Sequence, residues 1–295
     1  MPKIKTILVT GKKGQLGQSL KALAAQYPQY QFTFTGRDEL DLSCSKNIAA
    51  YFQQKQFDVI VNCAAYTAVD KAEEQQELAD TINHLAVKQL AEIAQQHHSL
   101  LIHISTDYVF DGTAHQPYQE NAAINPQNIY GESKLKGELA IQSIACDAII
   151  IRTSWVYSEY GNNFVKTMLR LGRERDQLNV IFDQVGTPTY ATDLAVNILK
   201  IIEFSNSKQA DLELDKVSLY HFSNEGVCSW YDFAKAIFEL TNTQCAVSPI
   251  ETKDYPTAAK RPYYSVLNKA KIKQAYQLSI PYWKDSLQAC LNKIQ

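Results

Sequence analysis

The chain has 295 residues, 45% of them hydrophobic and 20% charged, with a formal net charge of -2. That is enough apolar chain for one large domain or two smaller ones, and no basic field marks it for nucleic acid. No apolar run approaches the roughly 18 residues of a membrane span; no signal-peptide pattern opens the chain; and six scattered cysteines without a CxxC pair read as reduced thiols, so a cytoplasmic location is expected.

In chain order, short β-branched runs at 6–10, 31–35, 59–63, 100–105 and 148–152 read as strands. Between them, apolar positions recurring at three and four residues predict helices over 15–26, 46–54, 74–96 and 129–143. Continuous apolar strands separated by helices imply a parallel sheet covered on both faces. The fold class is therefore α/β, a doubly wound parallel sheet of the Rossmann type. After Trp155 the pattern loosens: helices are predicted over 162–173, 193–204, 230–240 and 284–293, a late strand over 219–223, and a polar surface loop over 205–215. The expected division places 1–155 and 188–225 in a dinucleotide-binding domain. A smaller, partly interleaved C-terminal substrate domain takes 156–187 and 226–295.

The first strand runs into Gly11, Gly14 and Gly17 and then a helix. Strand, glycine turn and helix together predict a backbone that approaches a pyrophosphate, whose charge rests on the helix N-terminus. The second strand ends Thr35-Gly36-Arg37-Asp38. An acidic residue there favours NAD and an arginine accommodates a 2'-phosphate, so Arg37 favours NADPH, while Asp38 or Asp41 leaves NADH possible. Small Ala64 and Ala65 after the third strand suit close passage to a flat adenosine, or a tight strand-helix junction.

The fourth strand should deliver Ser105, Thr106 and Asp107 to the carboxyl end of the sheet, where such folds bind ligands. Downstream, Tyr130 and Lys134 lie one helical turn apart. An ammonium beside a phenol favours phenolate and lowers its pKa from the usual ~10. The same spacing recurs at Tyr51/Lys55 and Tyr231/Lys235, but only Tyr130 follows a buried-looking strand ending in hydroxyls. The combination suggests hydride transfer to or from a carbonyl, with Tyr130 as proton donor and Thr106 hydrogen-bonding the substrate oxygen. The six histidines show no metal-ligand spacing, and no metal is expected.

These residues resemble a known family over nearly the whole length. Gly11 to Gly17 with its Gln-Leu, Asp58-Val-Ile-Val-Asn62, Ala64-Ala-Tyr-Thr-Ala-Val-Asp-Lys-Ala-Glu73, Ser105-Thr-Asp-Tyr-Val-Phe-Asp-Gly112 and Tyr130-Gly-Glu-Ser-Lys134 carry the likeness. Arg152-Thr-Ser-Trp-Val-Tyr157, the 161–170 segment and Asp183-Gln-Val-Gly-Thr-Pro-Thr189 make it specific. The chain resembles the dTDP-4-dehydrorhamnose reductases, which are extended short-chain dehydrogenases/reductases. The resemblance implies reduction of the C4 ketone of dTDP-4-dehydro-L-rhamnose, a small-molecule nucleotide sugar. It implies Tyr130, Lys134 and Thr106 as catalytic residues. Gly11, Gly14, Gln15, Leu16, Gly17, Arg37, Asp41, Leu42, Ala64, Ala65, Tyr66 and Thr67 are expected at the cofactor with Tyr130 and Lys134. Thr106, Asp107, Trp155, Asn163 and Arg261 are expected at the substrate.

Some members carry two glutamates that form a magnesium-assisted dimer contact; Ser19 and Thr192 stand in those places here. Neither hydroxyl replaces a carboxylate for a hard cation, so a monomer or weak homodimer without that bridge is expected. Tyr264 replaces an asparagine usual in the Arg261-Pro-Tyr-Tyr-Ser stretch. Two other readings fit the same residues: an epimerase or dehydratase of the superfamily, and a non-catalytic subunit that binds NADP(H) and a partner protein.

Overall fold

The computed structural model describes residues 5–206 and 216–294. In chain order, β1 (Lys5–Thr10) leads into α1 (Gln15–Leu23), then β2 (Tyr30–Thr35), α2 (Ser45–Gln54) and β3 (Val59–Asn62). The next crossover is broken into α3 (Val69–Ala72), α4 (Gln76–Asp80), a π-helical turn over Thr81–Leu85 and α5 (Ala86–His97). β4 (Leu100–Thr106), α6 (Ile129–Ile144) and β5 (Ala148–Thr153) complete the first half. The second half carries β6 (Val156–Tyr157), α7 (Phe164–Glu174), β7 (Gln177–Ile181), β8 (Val185–Gly186), β9 (Thr189–Tyr190) and α8 (Ala191–Asn206). It continues through β10 (Val217–His221), β11 (Cys228–Ser229), α9 (Trp230–Thr241), β12 (Ala246–Ile250), α10 (Ala270–Tyr276) and α11 (Trp283–Ile294).

Six strands form one sheet in the order β10-β5-β4-β3-β1-β2, all parallel. The inner strands β1, β3, β4 and β5 carry the apolar runs because they are covered on both faces, while the edge strand β2 is only partly buried. On one face Ile7, Val9, Val59, Val61 and Ile102 pack with Leu194, Ile198 and Ile202 of α8. On the other, Leu8, Ile60, Leu101 and Ile150 pack with Ile48 of α2, Leu90 of α5 and Ile141 of α6. The α/β doubly wound architecture is as the sequence predicts. A separate core gathers Tyr157, Val165, Leu169, Phe233, Ile237, Leu287 and Leu291 from the second half. Ile272 and Tyr276 of α10, with Leu278 and Ile280, pack into the first core instead. The chain thus returns to the large sheet within the 226–295 stretch expected to belong wholly to the smaller domain.

Three local features differ from the sequence reading. The helix predicted over 74–96 is interrupted at the π turn, where Asn83 is 1% exposed and accepts a hydrogen bond from the Tyr66 amide at 2.8 Å. Its Nδ2 donates to Tyr66 O and to Ser133 Oγ, both at 3.0 Å, which ties the 64–67 segment to α6. Inserting one residue into a helical turn re-aims a side chain without ending the helix. Second, β7 and β12 pair in parallel across 69 residues of sequence, Gln177 opposite Ala246, and no local pattern announces them. Third, Ser205 lies in α8, and from residue 207 the predicted loop falls outside the described residues. Among the described residues, no helix is long and apolar enough to cross a membrane.

Burial of His221 of β10 should make the fold acid-sensitive. The side chain is fully buried, with Nδ1 at 3.1 Å from Tyr118 O, and burial pushes its pKa down to about 3. An unfolded imidazole takes a proton near pH ~6.5, so the unfolded chain binds more protons below that pH and stability falls as pH drops from ~6.5 towards 3. At pH ~4.5 the contribution amounts to roughly 2–3 kcal/mol. Urea midpoints at pH 7.5 and 4.5 should differ markedly in the wild type, and the gap should shrink in His221→Gln. An equal gap in both proteins would show that His221 is not responsible.

Candidate active site

The carboxyl ends of β1, β3 and β4 converge where the sheet meets the N-termini of α1 and α6. Gly11 has φ +72°, and a Cβ there would sit 2.9 Å from the Ala64 nitrogen, so the first turn and the end of β3 touch backbone to backbone. Helix α1 then begins with no side-chain cap and no acidic residue in its first turn. Its free N–H groups and positive dipole end face the carboxyl edge of the sheet, an arrangement that fits a pyrophosphate. Leu16 is buried in the core, so it can offer the cofactor only its backbone.

At the end of β2, Arg37 is 77% exposed and its Nε lies 3.5 Å from Asp41 Oδ2. Asp41 is held by the Ser43 amide and hydroxyl at 2.9 and 2.7 Å, and the Ser43 hydrogen bond, ahead of Arg37, lowers its pKa. Leu42 packs in the core on the second face, which likewise leaves only its backbone for a ligand. Asp38, considered for a ribose hydroxyl, pairs with Lys13 at 2.7 Å. The acid seated on the strand end is Glu39, which accepts from the Gly36 amide at 2.9 Å and pairs with Lys12. Sequence reasoning passed over Glu39, whose signal is its place three residues beyond Gly36.

Helix α6 starts on Asn128, whose Oδ1 accepts from the Gly131 amide at 2.8 Å. A Cβ on Gly131 would fall 2.3 Å from Tyr108 O, so glycine lets this helix end press against the segment after β4. That contact brings Tyr130 to Thr106, and the Tyr130 ring meets the Tyr108 ring edge-on at 5.5 Å. Thr106 Oγ1 donates to Asp107 Oδ1 at 2.9 Å and accepts from the Tyr108 amide at 3.2 Å. Thr106, Asp107 and Lys134 are all less than 5% exposed.

Burial dominates the electrostatics. It pushes the Tyr130 phenol up to about 12, against a downward pull from Thr106 and a further upward push from Asp107. It pushes Asp107 up to about 7, against its hydrogen bonds with Thr106 and Ser265. It pushes Lys134 down to about 8, opposed by Glu138. The lowering of the phenol expected from a lysine ammonium is therefore not what the site shows: burial raises the phenol, and Lys134 is not among the groups that shift it. Lys134 Nζ instead donates to Ile104 O at 2.6 Å and lies 3.3 Å from His103 Nε2.

Trp155 has φ +48°, a conformation that costs energy for a bulky residue and often marks a site. Its ring stacks on Trp230 with centroids 3.6 Å apart, and Gly186 leaves room for it. Arg261 donates to Asp70 Oδ2 at 2.6 Å and stays 20% exposed. Asn163 stands at the start of α7. Its Oδ1 caps α7 through the Lys166 amide at 3.1 Å, and its Nδ2 donates to Gln15 Oε1 and Ser158 O at 2.9 and 2.8 Å. Both ends of the amide thus help to hold the loop. Gln15 itself donates to Val156 O at 3.1 Å, which fastens the cofactor turn to the second half. Tyr264 lies against Tyr118, with ring centroids at 6.1 Å. Two open surface clefts, one lined by Lys235, Phe238 and Asn242 and one by Gln76, Asp80 and Lys136, contain none of these residues. Among the described residues, no three His, Cys, Asp or Glu side chains gather as a metal-ligand set.

Comparison with known proteins agrees over the full length. The family model described as the RmlD substrate binding domain matches residues 5–295. A dTDP-4-dehydrorhamnose reductase of Aggregatibacter actinomycetemcomitans is 42% identical over 287 residues, covering 95% of this chain and 96% of that protein. The solved structure of a Clostridium acetobutylicum dTDP-4-dehydrorhamnose reductase superposes with TM-score 0.91 at 40% identity, covering 98% of this chain and 99% of that one. The Bacillus anthracis dTDP-4-dehydrorhamnose reductase, solved in complex with NADP, also gives 0.91, at 38% identity over 99% of this chain and 100% of that one. Fold and full-length likeness agree, and the chain belongs to the dTDP-4-dehydrorhamnose reductase family.

Proposed function

We propose that this chain reduces the C4 ketone of dTDP-4-dehydro-L-rhamnose to dTDP-L-rhamnose, a nucleotide sugar for cell-surface polysaccharide. NADPH is the preferred reductant and NADH a possible one. The carrying observation is the convergence of Thr106, Asp107, Tyr130 and Lys134 beside the uncapped start of α1, in a chain alike in full length to reductases of that name.

Gly11, Gly14 and Gly17, with the backbone of Gln15 and Leu16, receive the pyrophosphate. Arg37, beside Asp41 and Leu42, takes the 2'-phosphate, and the segment Ala64, Ala65, Tyr66 and Thr67 lies along the adenosine side. When bound by these residues, the cofactor would supply the hydride. Tyr130, still protonated at neutral pH because burial holds its pKa up, donates its proton to the C4 oxygen. Thr106, beside the phenol, turns its hydroxyl proton from Asp107 to the same oxygen, and Lys134, one helical turn from Tyr130, bonds the ribose. Trp155 lies against the C–H faces of the sugar, Asp107 bonds a hydroxyl, and Arg261 takes the diphosphate. The first core is the cofactor half and the second the substrate half. The enzyme works in the cytoplasm as a monomer or weak homodimer without a magnesium bridge, and no nucleic acid is a partner.

Asp107, an acid beside Thr106 with its pKa near 7, favours a second reading as a dehydratase or epimerase. Enzyme, NADPH and dTDP-4-dehydrorhamnose should give one oxidised cofactor per dTDP-rhamnose, with NADPH turning over faster than NADH. Product formed without net NADPH loss would favour the second reading. A folded, cofactor-saturated protein that forms no product would reject both.

A further inference from the structure

Asp70 of α3 and Glu73, the residue just past that helix, stand about one turn apart, and each holds a different wall of the site. Glu73 accepts the Ile129 amide at 3.0 Å, where α6 begins and directly before Tyr130. Asp70 turns to the C-terminal half. Its Oδ1 accepts the Ala259 amide at 3.1 Å, and its Oδ2 accepts from Arg261 Nη2 at 2.6 Å. The strap that carries Arg261 has anchors of its own. Asn128 Nδ2 donates to Lys260 O at 2.8 Å, and the Tyr264 amide donates to Gly112 O at 3.1 Å. Gly112 has φ +77°, and a Cβ there would fall 2.6 Å from Pro262 Cβ. The charges of Arg261 and Asp70 both bear on the Tyr108 phenol, whose ring meets Tyr130 edge-on.

We propose that Asp70 is a positioning residue for the nucleotide sugar: it holds the Arg261 guanidinium in place to receive the diphosphate. The proposal deepens the reductase reading and rests on its assignment of the diphosphate to Arg261. A guanidinium carries five N–H donors. Here Asp70 takes one at Nη2, and Nη1 reaches only Ala259 O at 3.5 Å. The donors that remain can meet two phosphate oxygens side by side. A free arginine side chain loses rotamer freedom when it takes a ligand, and a carboxylate that already fixes it removes that loss from binding. The backbone of the strap does not depend on Asp70, because Asn128 and Gly112 hold it on both sides of Arg261. What Asp70 alone supplies is the direction of the side chain. Its negative charge also repels a diphosphate, but Asp70 is 45% exposed and solvent screens that repulsion.

Calorimetric binding of dTDP to the full-length protein decides it, measured as a double-variant cycle. Arg261→Met should weaken dTDP about tenfold or more, the usual loss of a charged hydrogen-bonding contact. Asp70→Ala should weaken it about three- to tenfold, the cost of ordering one long side chain. The same variant should raise KM for the ketosugar with little change in kcat, since the group it positions binds rather than reacts. In the Arg261→Met background, Asp70→Ala should cost nothing further, because no guanidinium is left to position. NADPH affinity, which neither residue serves, should stay at the wild-type value and report an intact fold. Unchanged dTDP affinity in Asp70→Ala would overturn the proposal. So would an equal loss with and without Arg261, which would make Asp70 a fastener of the strap alone. Should Asp70→Ala fail to fold, Asp70→Asn, which keeps one acceptor, takes its place in the cycle with a smaller loss. If Arg261→Met binds dTDP as the wild type does, this proposal and the diphosphate assignment fall together, while reduction of the ketosugar by NADPH is judged by its own assay.

Discussion

Tyr130→Phe should lower single-turnover reduction about 10²- to 10⁴-fold, the usual worth of a positioned acid, while leaving NADPH affinity within a few-fold. The substitution removes one oxygen and keeps the ring that packs edge-on against Tyr108. The phenol is the site's best-placed neutral donor: it sits beside Thr106, and burial holds its pKa at about 12. With phenylalanine there, a proton must come from water or from Asp107, neither set against the same oxygen. Stopped-flow measurement of NADPH absorbance separates the step from product release, and fluorescence titration reports cofactor binding. An unchanged rate constant would remove Tyr130 from the mechanism.

A second large effect is expected in stability. Glu138 and Arg152 form a pair only 1% and 3% exposed, with Nη2 to Oε2 at 2.7 Å and Nε to Oε1 at 3.0 Å. Ser105 also donates to Glu138, and the guanidinium lies over Phe110 at 5.1 Å. Removing the cation in Arg152→Met strands a carboxylate in the core, which typically costs about 3–5 kcal/mol. Replacing both, as Arg152→Met with Glu138→Leu, should recover most of that loss, because desolvating the pair offsets much of its attraction. Urea unfolding of the four proteins at pH 7 closes the cycle. A single-variant loss below about 1 kcal/mol would mean that the pair is solvated in solution.

These two predictions rest on different kinds of information. The places of Tyr130 and Lys134 on α6 and of Thr106 at the end of β4 were legible because helical spacing and strand ends are local properties of the chain. The five first strands were legible because a parallel strand buried on both faces must read as an unbroken apolar run. The β7–β12 pair was not, since its partners are distant and β12 carries Pro249 in a half-exposed strand. Nor did spacing reveal that Asn83 leaves the helical ladder to grip Tyr66, or that Asn163 faces inward to cap α7. The error on the phenol's pKa came from weighing charge without burial, a quantity that spacing does not contain.

The most direct test of the whole account uses NADPH carrying deuterium on the transferred position of the nicotinamide. Incubation with dTDP-4-dehydro-L-rhamnose should place one deuterium on C4 of the dTDP-L-rhamnose formed, matched by one NADP⁺, as read by mass and NMR spectra. Product without the label, or with it on another carbon, would contradict the account.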